Sequence, residues 1–178
     1  MVVIVGALLI VAAIVGGAVA LVRRESSAVG WAVAQLALVA AAGILTLLMP
    51  AAETAWSIPL AICAVLAATF GGGIVVKVVL RLAGHPQAIV DDLPAAAWIG
   101  LVERFAMTFA LVLGRAEIAA VIIAVKALGA YSASADGAGS GRDRNRMASV
   151  RVLGTLTSVT WALLCYAVYA VARTRMAA

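Results

Sequence analysis

Charged and aromatic residues are scarce in this chain of 178 residues. Only 12% of the residues are charged and 6% are aromatic, whereas 66% are hydrophobic and the mean hydropathy is +1.16. A soluble domain of this size has too little interior to hide so much apolar surface, so the composition indicates that the lipid bilayer is the solvent. We therefore expect one all-α domain over residues 1–178, a polytopic bundle of transmembrane helices.

The residues that usually bind metals are also few. The single histidine, His85, excludes a site built on a histidine pair. Cys63 and Cys165 each lie inside an apolar segment, which is typical of small core hydrophobes rather than of a disulfide. The lone pair Asp91-Asp92 is more typical of a loop or helix cap than of a magnesium site. We expect no metal, no cofactor, no catalytic residue and no enzyme activity.

Basic residues exceed acidic ones, 13 to 8, and most of them lie at the ends of apolar segments. This pattern favours contact with anionic lipid headgroups, and no continuous basic face indicates binding to nucleic acid. The four tryptophans fall near the expected membrane interfaces, where such side chains commonly anchor a helix; they are Trp31, Trp56, Trp98 and Trp161.

Small residues recur at four-residue spacing on three segments, a pattern that permits close helix contact. The three sets are Ala12, Gly16 and Ala20; Ala64, Ala68 and Gly72; and Ala106, Ala110 and Gly114. The sequence leaves open whether these faces pack within one chain or mediate a homo- or hetero-oligomer.

A membrane span needs about 20 apolar residues. Segments 2–22, 28–49, 58–80 and 150–172 meet this requirement. As one helix, residues 94–130 would be about 55 Å long, against a hydrocarbon core of about 30 Å. A break at Gly114-Arg115 gives two shorter segments, 95–113 and 116–130, and six in all.

The alternative is five segments, and the positive-inside rule discriminates between the two. With six segments and the N-terminus outside, most basic residues face the cytoplasm; with five, the basic cluster at 142–151 moves outside. We therefore favour six. Residues 132–146 are rich in Gly, Ser and Arg and lack apolar groups, which predicts a mobile loop.

The predicted hairpin brings two opposite charges to one depth. Glu103 and Lys126 each lie about 17 Å from a turn at 114–115, whereas a straight helix would separate them by about 35 Å. We predict an ion pair; the alternative is that Lys126 extends to the interface and Glu103 pairs with another helix. Arg104 points about 100° away from Glu103 and needs a carbonyl, a hydroxyl or a lipid phosphate.

Hydroxyl groups follow one another in the last segment, at Thr155, Thr157, Ser158 and Thr160. In an apolar helix such groups usually bond to carbonyls of their own helix. The alternative is a polar path lined by Thr155, Thr157 and Ser158.

Four short motifs follow a fixed order in residues 98–160. They are Ile99-Gly100-Leu101-Val102-Glu103-Arg104, Leu113-Gly114, Ala124-Val125-Lys126-Ala127 and Leu153-Gly154-Thr155-Leu156-Thr157-Ser158. This order resembles the C-terminal membrane portion of a family of uncharacterised bacterial integral membrane proteins, a domain of unknown function. That family carries Gly-x-x-Glu-Arg, Leu-Gly, Ala-x-Lys-Ser and Gly-Thr-Leu-x-Ser.

The chain departs from the family pattern at Ala127, where the family has serine, and at Val150-Arg151, where it has an acidic-aromatic pair. The family's His- and Asp-containing first segment is also absent. The resemblance implies that Glu103, Arg104, Lys126 and residues 154–158 form a linked set, and it implies no activity. A multi-pass location in the bacterial cytoplasmic membrane is expected.

Two functions from different classes fit these observations. The first is a non-enzymatic accessory or scaffold protein whose buried Glu103, Arg104 and Lys126 fix helix register and partner contacts. The second is a small transporter or channel in which Glu103 binds an ion or a proton.

Overall fold

The computed structural model describes residues 1–21, 28–48, 54–85, 94–135 and 141–177. Within these ranges the chain forms six α-helices, a single-turn 3₁₀ helix at Thr54–Trp56 and no strand. The helices are α1 (Val2–Leu21), α2 (Ala28–Leu47), α3 (Ser57–Leu82), α4 (Pro94–Val112), α5 (Ala116–Ala135) and α6 (Gly141–Ala177). The predicted all-helical class is confirmed.

Three stretches of the described chain are long and apolar enough to cross a membrane: Ala28–Leu47, Thr54–Leu82 and Ala148–Met176. The first helix contributes a shorter apolar stretch, Val2–Ala18. These helices are compatible with a membrane protein, as the composition predicts. The number of spans and the outward N-terminus stay predictions.

Helix α3 lies at the centre of the bundle and contacts α1, α2, α4 and α6. It runs parallel to α1, because Gly6 faces Cys63 and Gly16 faces Gly71. It runs antiparallel to α6, since Gly154 lies opposite Val76 near the end of α3, and Trp161 of α6 reaches Ala67 further back. Both cysteines are buried and free, as expected.

Small residues of α1 and α3 pack against each other inside the chain. A Cβ at Gly16 would lie 2.5 Å from the Phe70 carbonyl oxygen and 2.6 Å from the Gly71 Cα, so the backbones of α1 and α3 touch here. On the same two helices, Ala12 of α1 and Ala64 and Ala68 of α3 are also fully buried. These four small residues therefore pack within the chain.

The predicted break at Gly114 is present. Helix α4 ends at Val112, and Gly114 has a φ of 75°. The Gly114 N–H donates to the Leu111 carbonyl at 3.0 Å, and the Arg115 N–H donates to the Ala110 carbonyl at 2.8 Å. This is the Schellman pattern, in which a left-handed residue satisfies carbonyls that the helix end leaves free.

The predicted mobile loop, residues 132–146, extends too far in both directions, because helices cover its first and last residues. Helix α5 continues to Ala135 and α6 begins at Gly141; residues 136–140 lie outside the described residues. The glycines that suggested a loop are concentrated at 137–141, whereas Ala and Arg in the flanking stretches have high helix propensity. Adjoining apolar helices therefore extend into both stretches.

Candidate functional site

Polar side chains lie close to the midpoint of five of the six helices. We call this set the polar layer: Gln35, Thr69, Glu103, Arg104, Lys126 and Ser158. Most of the remaining positions near these residues on the same helices are apolar, and the exceptions are threonines. A polar group in such surroundings requires a partner, so the hydrogen bonds of each member indicate its role.

Glu103 and Lys126 form the predicted ion pair. The Lys126 Nζ donates to the Glu103 Oε2 across the α4–α5 hairpin. The two side chains are 23% and 24% exposed, respectively, so the pair is mostly covered yet reachable from the surface of the bundle. The break at Gly114 brings these residues together, as the equal spacing from the turn predicts.

Arg104 finds its partners on two other helices. Its Nε donates to the Thr69 carbonyl of α3 at 3.2 Å, and its Nη1 donates to the Ser158 Oγ of α6 at 3.3 Å. The residue is only 5% exposed. A carbonyl and a hydroxyl were among the partners that the sequence predicted, and Arg104 thereby connects three helices at the polar layer.

Two glycines of α3 provide the space in which these side chains lie. A Cβ at Gly72 would be 2.7 Å from the Arg104 Cδ and 2.8 Å from the Trp161 Cδ1, and one at Gly71 would be 2.7 Å from the Trp161 Cζ2. All three distances are too short for a residue with a Cβ atom unless a neighbouring side chain is displaced. The site therefore requires glycine at positions 71 and 72, in the middle of α3.

Trp161 contradicts its predicted position at a membrane interface. It is 1% exposed, and its Nε1 donates to the Ala67 carbonyl at 3.2 Å. The indole fits against the bare backbone of Gly71 and Gly72, and burial is possible because its N–H has an acceptor there. Periodicity places Trp161 on a helix but gives no information on the glycines opposite.

Four buried polar residues were not identified from the sequence: Gln35, Thr46, Thr69 and Thr108, of which Gln35 and Thr108 retain an oxygen without a partner among the described residues. The Gln35 Nε2 donates to the Ala12 carbonyl at 2.7 Å, while its Oε1 and the Thr108 Oγ1 have no hydrogen-bond partner. Both residues are fully buried. A lone amide inside an apolar run was the available signal for Gln35, since such a group is costly in a membrane helix. Thr108 follows Arg104 by one turn of α4 and shares its face.

Two of the three residues of the suggested polar path form hydrogen bonds within the bundle, and the path stays a prediction. Ser158 accepts from Arg104 inside the bundle, whereas Thr157 donates to the Leu153 carbonyl at 2.8 Å, as hydroxyls in apolar helices usually do. Thr155 is half-buried. An open groove of about 320 Å³ between α2, α3 and α6 is lined by Thr157 and Thr160 with apolar neighbours. Glu103, Arg104 and Lys126 do not line it.

The other charged pair of the hairpin lies at its turn. The Arg115 Nη1 and the Glu117 Oε1 are 3.3 Å apart, and both side chains are largely exposed. Glu117 also occupies the first turn of α5, where a negative charge interacts favourably with the helix dipole. This pair is separate from the polar layer.

Comparison with known proteins gives no further assignment, since no protein family, curated protein or solved structure matches the chain. The family resemblance of residues 98–160 stays a prediction. Within the described part of the chain, no group of three or more His, Cys, Asp or Glu residues is placed to hold a metal ion. The polar layer is therefore the candidate site, and its chemistry is that of fixed charges and hydrogen bonds between helices.

Proposed function

We propose that this protein is a six-span membrane protein of the bacterial cytoplasmic membrane with its N-terminus outside. The alternating helix directions support this topology. Helices α2 and α6 run parallel, because Gly43 faces Val168 and the Arg175 Nη2 donates to the Leu47 carbonyl. Helices α3 and α6 run antiparallel, so the end of α3 and the start of the apolar part of α6 lie on the same side. In this topology the basic residues of both stretches face the cytoplasm, where they can contact anionic lipid headgroups.

Within that membrane we propose a non-enzymatic accessory or scaffold role. The observation that carries this proposal is the pairing of every charge in the polar layer: Glu103 with Lys126, and Arg104 with Thr69 and Ser158. Bonds of this kind fix the register of α3, α4, α5 and α6. The charged residues of the polar layer do not line the groove between α2, α3 and α6. A permeation path through Glu103 would require a cavity that reaches Glu103.

The second candidate is a small transporter in which Glu103 exchanges a proton or a cation. One observation favours it. About a quarter of each side chain in the Glu103–Lys126 pair remains exposed, so the carboxylate is accessible at the edge of the hairpin. In this case Lys126 would act as the counter-charge that an incoming cation displaces.

The variant Glu103→Leu/Lys126→Leu separates the two functions. Native membranes containing the wild-type or the double variant are solubilised, and co-purified proteins are compared by quantitative mass spectrometry. In parallel, both proteins are reconstituted into liposomes that contain a pH-sensitive dye. A scaffold co-purifies with partner proteins as the wild type and gives no flux in either protein. Wild-type flux that the folded double variant loses would establish transport and reject the accessory role.

A further inference from the structure

The formal charges of the polar layer do not cancel. Glu103 contributes one negative charge, and Arg104 and Lys126 contribute two positive charges. Among the acidic residues that the structure describes, Glu103 lies near the middle of a helix, whereas Glu117 and Asp143 lie in the first turns of α5 and α6. Each of the three charged residues lies close to the midpoint of α4 or α5. The layer thus carries an excess of one positive charge at the depth where a charge is most costly.

The two cations of the layer differ in accessibility. Arg104 is enclosed by α3 and α6, and a carbonyl and a hydroxyl oxygen solvate it. Lys126 is paired at the edge of the hairpin and remains 24% exposed. An ammonium group has three N–H donors, so Lys126 can bridge Glu103 and a second carboxylate. A second anion can therefore reach the layer at Lys126.

Three candidates for that anion are excluded by position or by charge. A second copy of this chain adds one acid and two bases, so it doubles the excess. Lipid phosphates lie at the membrane surface, about 15 Å from the middle of the hydrocarbon core. An acidic side chain of a soluble protein does not enter that core. A carboxylate on another transmembrane helix satisfies both depth and charge.

We propose that the exposed edge of the Glu103–Lys126 pair binds a membrane-embedded Asp or Glu of a partner protein. The residues beside the pair suit a helical partner, because Val102 and Val125 are exposed and apolar. Contact with them supplies packing, and the carboxylate supplies selectivity. This inference rests on the proposed accessory function and specifies the chemistry of the partner.

The test measures association with designed helices in liposomes of zwitterionic lipid at about pH 9, because burial at membrane depth raises the pKa of a glutamate above its ordinary value. Fluorescently labelled protein is titrated with polyleucine transmembrane peptides that carry one central Glu, Gln or Leu. We expect the Glu peptide to bind about tenfold more tightly than the Gln peptide, equivalent to about 1.4 kcal/mol. The Gln peptide controls for neutral hydrogen bonding, and the Leu peptide for packing.

Two variants locate the effect. In Glu103→Leu/Lys126→Leu the preference for the Glu peptide should disappear, whereas Arg115→Gln, at the exposed turn, should retain it. Equal binding of the Glu and Gln peptides to the wild type would overturn the inference, as would a preference that survives in the double variant. If native partners co-purify with the wild type but the Glu and Gln peptides bind it equally well, this inference is rejected and the accessory function stands.

Discussion

At the scale of single residues, the core accommodates the large side chains of Arg104 and Trp161 because the residues opposite them are glycines. Arg104 and Trp161 both lie against α3 where Gly71 and Gly72 expose the backbone. The exposed carbonyls of Ala67 and Thr69 serve as acceptors for them. With any other residue at positions 71 and 72, Arg104 and Trp161 could not lie this close to the backbone of α3.

Gly72→Ala tests this interpretation. The added methyl would meet Arg104 and Trp161 at 2.7–2.8 Å, and overpacking of this kind costs about 1–3 kcal/mol. We expect a clearly lower midpoint of thermal unfolding in detergent. Gly30→Ala is the matched control, because nothing lies within 4 Å of its Cβ position and alanine is the better helix former. Equal stability of the two variants would contradict the steric account.

At the scale of helices, the turn at Gly114 determines which charges meet. Helix α4 ends at Val112, two residues before Gly114 with its positive φ, and α5 then returns so that Lys126 lies beside Glu103. A longer α4 would shift this register. The hairpin thus converts two isolated membrane charges into a pair.

Gly114→Leu and Gly114→Asn probe the turn. A side chain in the left-handed region costs about 1–2 kcal/mol for leucine, whereas asparagine tolerates this conformation. We expect the leucine variant to lose stability and the yield of inserted protein, and the asparagine variant to stay close to the wild type. Both quantities are read by fluorescence size-exclusion chromatography after heating. If the leucine variant behaved like the wild type, the turn would have no structural role.

The helical class, the break at Gly114 and the Glu103–Lys126 pair follow from the sequence, because they depend on composition, a glycine and simple helix geometry. The burial of Trp161 and the pairing of Gly16 with Gly71 do not, since both depend on which helices are neighbours. The same reason left the small-residue faces ambiguous. Helix α6 was predicted too short because local composition around residue 141 does not reveal the helix that continues into it.

At the scale of the whole molecule, the up-and-down order of helices makes a prediction about sidedness. Arg115 and Glu117 are exposed at the turn between α4 and α5, and Ala83 follows the end of α3. In the six-span topology the first pair is outside and Ala83 is cytoplasmic. An arginine at the turn then avoids the cost of about 2.5 kcal/mol or more that it would have at mid-depth.

Single-cysteine labelling checks this arrangement in intact cells. After replacement of Cys63 and Cys165 by alanine, a cysteine at Glu117 should react with an impermeant maleimide from outside. A cysteine at Ala83 should react only after the cells are permeabilised. The reverse pattern would invert the topology, and labelling of both positions from outside would exclude six spans. A cysteine at Ser140, beyond the described residues, should behave like the one at Ala83.

The claim that the buried charges of this protein act as structural partners is tested most directly by a double-mutant cycle on Glu103 and Lys126. Removing one member of a buried pair leaves an uncompensated charge and costs about 3–5 kcal/mol, whereas replacing both is much milder. Thermal unfolding in detergent is measured for the wild type, Glu103→Leu, Lys126→Leu and the double variant. Large losses in both single variants, mostly recovered in the double variant, are the predicted result. Losses that simply add in the double variant would contradict the pairing.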